Sequence, residues 1–96
     1  MPEFIFLMHD DAVADEQPWE PYLEKLRRNG AFDGGSAIGD GLCFRKAGSA
    51  PGLTAHLAGF IRVTAESLAA AKSLLPGNPV YEAGGTVEIR ELPRRE

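Results

Sequence analysis

An α+β domain in the order β-α-β-β-α-β is what this chain predicts, and three observations predict it. The opening segment Phe4-Ile-Phe-Leu-Met8 is apolar at every position, which suits a short strand covered on both faces. Trp19, Tyr22, Leu23 and Leu26 recur at spacings of three and four, one stripe of a helix. Residues 59–92 then read as strand, capped helix, turn and strand in one short block.

Taken in order, Glu3 to His9 is the first strand. The acidic stretch Asp10 to Glu16 is a loop, and Pro18 introduces a helix from Trp19 to Asn29. Asn29-Gly30 ends it, with glycine free to take a left-handed cap. Phe32-Asp33-Gly34-Gly35 reads as a turn. A second strand starts near Ser36, and Leu42 to Lys46 either continues it or pairs back across Gly39-Asp40-Gly41. Ala47 to Ala55, rich in Gly, Pro and Ala, is loop. Leu57 to Thr64 is the third strand. Ser67 to Leu75 is the second helix, with Leu68, Ala71, Leu74 and Leu75 on its core stripe, capped by Thr64 or Ser67 and stopped by Pro76-Gly77. Asn78 to Gly85 is loop, and Thr86 to Leu92 is the last strand, with Val87 and Ile89 alternating against Glu88 and Arg90.

Two right-handed crossovers joining four strands give a four-stranded antiparallel sheet with both helices on one face, the ferredoxin-like βαββαβ arrangement. The first strand is apolar toward the other face as well. Two readings cover that face: a second copy packed sheet against sheet as a homodimer, or a monomer whose 47–55 loop folds across it. A small core also favours association.

Ninety-six residues form one domain, with a core from about 3 to 92 and a charged tail over 93–96. The formal charge is −4 and the basic residues do not cluster, so no nucleic acid is expected as a partner. No apolar run is long enough to cross a membrane, and no basic-then-apolar leader is evident. The single cysteine, Cys43, forms no internal disulfide, and a cytoplasmic location is the default.

In succession, these motifs resemble the YCII-related family, including its DGPF-type members. The carrying residues are Phe4 to His9, the helix with Trp19, Tyr22 and Leu26, Gly30-x-Phe-x-Gly-Gly35-Ser36 with Ile38, Gly59-Phe60-Ile61 before Ser67 to Ala71, Asn78-Pro79, and Gly84 to Arg90. The resemblance implies a dimeric α+β barrel, and an enzyme-like pocket in a few relatives tied to dehalogenation or isomerisation of ring-cleavage intermediates. The Asp-Gly-Pro-Phe signature is missing, since Lys46 to Ala58 reads otherwise. A helix histidine found in some members falls at Trp19 here.

Six residues are candidates for a site. His9, at a strand end, is a candidate catalytic base near neutral pH, with Asp10 as its orienting or second acid group. The competing reading is a polar strand end before a solvated loop. Treating the first and third strands as a parallel pair puts His56 and His9 near opposite ends of the sheet, so His56 reaches a ligand only from a loop or a partner. Arg62, with Ile61 and Val63 turned to the helices, faces the open side as an anion holder, or pairs with Glu88 there. Gly34-Gly35-Ser36 is a tight turn or a small anion nest, with Ser36 offering a hydroxyl. Tyr22 is core, or reaches a pocket edge through its hydroxyl. No spacing suggests a metal site, and no cofactor is implied.

Two functions follow as expectations. One is cofactor-independent proton transfer on a small anionic organic molecule, isomerase- or lyase-like, in a pocket between sheet and helices. The other is a non-catalytic ligand-binding or dimerisation module. A haem-handling monooxygenase, which shares the dimeric barrel, is a third and lacks a placed axial histidine.

Overall fold

The computed structural model describes residues 1–94, so Arg95 and Glu96 of the charged tail lie outside it. Seven elements follow the chain: β1 (Glu3–His9), α1 (Glu20–Arg28), β2 (Phe32–Ala37), β3 (Leu57–Thr64), α2 (Leu68–Lys72), α3 (Pro79–Glu82) and β4 (Val87–Leu92). The strands form one four-stranded sheet in the order β2-β3-β1-β4, and every neighbouring pair is antiparallel.

Strand alternation sorts the side chains. Phe4, Phe6 and Met8 of β1 and Ile61 and Val63 of β3 are buried in one cluster with Tyr22 and Leu26 of α1, Ala71 of α2, Leu75 just past α2, and Val80 of α3. All three helices therefore cover the same sheet face. The opposite face presents Ile5, Leu7 and Phe60 half-buried at its centre, with Glu3, Arg62, Arg90, Glu88 and His9 around them.

Local chemistry explains the helix ends. Pro21 sits in the first turn of α1, where a missing N–H costs nothing. Asn29 and Gly30 close that helix, Gly30 with φ +69°. The Ser67 hydroxyl accepts from the Ala70 N–H (3.1 Å) and caps α2. Thr64, the rival cap, instead donates its hydroxyl to the Asp33 carboxylate. α2 is shorter than the Ser67–Leu75 pattern predicts, because the chain tightens into three-residue bonds from Leu74 to Ala71 and Leu75 to Lys72. Leu68, expected on the core stripe, is exposed. The 78–85 stretch holds a helix where a loop was expected: Asn78 Oδ1 accepts from Val80 and Tyr81, and Pro79 fills the first turn of α3.

β2 also differs from expectation. Phe32 to Gly35 is strand rather than turn, and pairs with β3 around a bulge between Phe32 and Gly35 that Gly34 accommodates with φ +113°. Gly35 lies so close to β3 that a Cβ there would stand 2.8 Å from Ile61 Cγ2 and against the Phe60 carbonyl. The Leu42–Lys46 strand does not form. Past Ile38, whose N–H still donates to Ala58 (2.9 Å), residues 39–56 leave the sheet as an arm without helix or strand. Its 47–55 part does not fold over the open face, and all of it except Ala50 is exposed. The arm stretches the molecule, whose radius of gyration is 14.9 Å against about 12.5 Å for a compact domain of this length. Among the described residues no helix is long and apolar enough to cross a membrane.

Candidate functional site

The polar cluster at the end of β1 starts from strand register. Leu7 stands opposite Glu88 on β4, and one step on the His9 N–H donates to the Thr86 carbonyl (3.0 Å). His9 and Glu88 thus share the open face, and Glu88 Oε1 lies 3.1 Å from His9 Nε2. The His9 side chain is 19% exposed and that of Glu88 35%. A carboxylate only accepts, so the ring proton sits on Nε2 and Nδ1 is the basic nitrogen of the neutral imidazole. Glu88 Oε2 accepts a second bond from Arg90 Nη1 (3.2 Å). These contacts, His9 first and then Arg90, hold the Glu88 carboxyl below its ordinary value of 4.5.

On the other side of β1 the pairing with β3 slips between Met8 and His9. The slip lets the Asp10 N–H donate to the His56 carbonyl (2.9 Å). It also brings the two imidazoles together, centroids 4.7 Å apart at 67°, edge to face. Because β1 and β3 run antiparallel, His56 and His9 lie at the same end of the sheet, which corrects the expectation drawn from a parallel pair. The expected carboxylate partner also changes. Asp10 is exposed and takes part through its backbone, while the acid on His9 comes from Glu88, distant in sequence. Asp11 anchors the acidic loop by accepting from the Thr86 N–H (2.8 Å) and hydroxyl (2.6 Å). The hydroxyl bond, then the N–H bond, keep the Asp11 carboxyl below its usual 3.8.

The remaining candidates do not join this cluster. Arg62 is on the open face as expected but donates to Glu3 Oε1 (2.6 Å), not to Glu88. It pairs in register with Ile5, four residues from His9, a separation of roughly 13 Å along a strand. Arg90 is the cation beside the dyad, and sequence reasoning missed it in this role. The alternation Thr86-Val-Glu-Ile-Arg90 set against an antiparallel first strand was the available signal. Tyr22 is core: its hydroxyl donates to the Leu74 carbonyl (2.8 Å) and burial pushes it up to about 12. The Ser36 hydroxyl donates to the Ala37 carbonyl (2.9 Å).

Ser36 does line a second feature, a cleft of about 390 Å³ between α1 and the sheet. Met8, Trp19, Leu23, Phe32, Ile61 and Val80 give it an apolar wall, and Glu16 is its one acidic side chain. Glu16 Oε1 accepts from the Trp19 ring N–H (3.3 Å). Neither histidine borders the cleft. The single pocket expected from the sequence is therefore two sites at one end of the sheet, an apolar cleft on the helix side and an imidazole–carboxylate pair on the open side. Among the described residues no group of three or more His, Cys, Asp or Glu stands close enough to hold a metal ion.

Comparison with protein-family models, with curated proteins and with solved structures finds no match.

Proposed function

We propose that the chain is a YCII-like protein of ferredoxin-like βαββαβ topology that pairs through its open sheet face. In this reading it performs cofactor-independent proton transfer, isomerase- or lyase-like, on a small anionic organic molecule held against that face. The observation that carries it is the His9–Glu88 hydrogen bond (3.1 Å) on a half-buried histidine.

His9 Nδ1 removes a proton from a carbon made acidic by an adjacent carbonyl. Glu88 fixes the ring and stabilises the imidazolium that forms, and Arg90 supplies positive charge for the substrate's anionic group. In this reading His56, edge-on to His9, returns a proton at a second carbon. The proton gained by His9 and the one given up by His56 are exchanged with solvent between turnovers, so both return to their starting states and no co-reactant is needed. Ile5, Leu7 and Phe60 surround the dyad with apolar surface that a second copy would close, excluding water.

The test is deuterium incorporation from heavy water into a panel of small oxo acids, followed by proton NMR. The wild-type protein should exchange at least one of them above background. His9→Gln should lower that rate by on the order of a hundredfold and leave the melting temperature within a few degrees. Wild-type rates equal to buffer across the panel would contradict the reading.

A second reading, a non-catalytic ligand-binding or dimerisation module, is favoured by the α1–sheet cleft. Its wall is apolar and its acidic side chain, Glu16, suits contact rather than proton abstraction.

A further inference from the structure

The 39–56 arm presents a chemistry that the rest of this chain leaves unused. Phe44 is 85% exposed, Leu42 78% and Leu53 44%, an apolar set that monomeric proteins rarely leave in water. Two cations follow directly, Arg45 and Lys46. Arg45 donates to the Ser49 carbonyl (3.0 Å), and among the described residues neither cation has an acidic partner. The cleft between α1 and the sheet is the complement: an apolar wall around Trp19 and Phe32, with Glu16 inside it and Asp15 beside that residue. Neither of these acids is in an ion pair among the described residues.

The arm is rooted at the cleft's own lip, where Ala37 and Ala58 line it. Bonds across its own base and tip, from Cys43 Sγ to the Gly52 carbonyl (3.7 Å) and from Arg45 to Ser49, brace it. So braced, the arm keeps Phe44 in solvent, and among the described residues none of 39–56 lines the cleft of its own chain. A second copy offers the same cleft without requiring the arm to double back.

We infer that Phe44 of one copy seats in the α1–sheet cleft of another, with Arg45 and Lys46 against Glu16 and Asp15. Each copy has one arm and one cleft, so a reciprocal exchange between two copies fills both clefts and closes with two-fold symmetry. An aromatic anchor entering an apolar pocket ringed by opposite charges is the arrangement that concentrates binding in few residues. The inference does not depend on proton transfer at His9, which lies outside the cleft.

Trp19 is the protein's single tryptophan and lines the cleft, so its fluorescence reports on this site. The full chain is diluted from tens of micromolar to nanomolar while emission is recorded. Emission should be blue-shifted when concentrated and move to the red on dilution. Phe44→Ser, and separately the pair Arg45→Glu with Lys46→Glu, should raise the midpoint concentration at least tenfold. Because Phe44 is exposed in the single chain, Phe44→Ser should keep the wild-type circular dichroism spectrum. Emission that does not change with dilution, or a Phe44→Ser curve that overlays the wild type, overturns the assignment. Emission blue at every concentration in the wild type and red in Phe44→Ser overturns the second copy as the source of the arm.

Discussion

Glu88 accepts from His9 on one carboxylate oxygen and from Arg90 on the other, and the pH behaviour of the fold depends on that. Its folded carboxyl lies below the ordinary 4.5, as Asp11 lies below 3.8 through its bonds from Thr86. A depressed acid contributes stability above its unfolded value and loses it as pH falls through the folded one. Thermal melts from about pH 6 to about pH 3 should therefore show a falling midpoint, and Glu88→Gln should fall less steeply. Parallel curves for the two proteins would remove Glu88 from the explanation. His9 was legible as the polar end of an apolar strand. Its partner was not, because Glu88 is remote in sequence and only strand register brings the two together. Asp10, adjacent in the chain, drew the assignment that belonged to a cross-strand neighbour.

Helices and strands show a similar division. α1 follows from its three-and-four spacing and β1 from a short run apolar at every position, and with β3 they stand within a residue of expectation at their ends. α3 was missed although Asn78-Pro79 is an N-cap followed by a first-turn proline; the four-residue helix Pro79–Glu82 is too short to show a period. Asn78 is fully buried and caps it with two bonds. Asn78→Ala should cost about 1 kcal/mol through the cap alone, read as a lower denaturation midpoint in urea, whereas an unchanged midpoint would mean that α3 holds without its cap. β2 was misread at Gly34-Gly35 because paired glycines signal a turn more often than a strand. Here the glycines serve a bulge and a backbone approach to β3 that leaves no room for a side chain at position 35.

At the scale of the molecule, one sheet has one face sealed by three helices and one face that is apolar at its centre. Phe4, Phe6 and Met8 satisfy the core, which leaves Ile5, Leu7 and Phe60 on the open face, where the proposed function sets a second copy. In that proposal the same contact would enclose the His9–Glu88 pair, and assembly and chemistry would share one surface. The proposed arm contact would use the opposite side of the sheet, and the two proposed contacts can be separated by mutation. Leu7→Lys places a charge in the centre of the open face without touching the cleft. Sedimentation equilibrium of the wild type and of Leu7→Lys, in a Phe44→Ser background that disables the arm, tests this surface most directly. A mass of twice 10.3 kDa with Leu7 in place, reduced to a single chain by Leu7→Lys, is the expected result. A single-chain mass with Leu7 in place, or a double mass that survives Leu7→Lys, would contradict it.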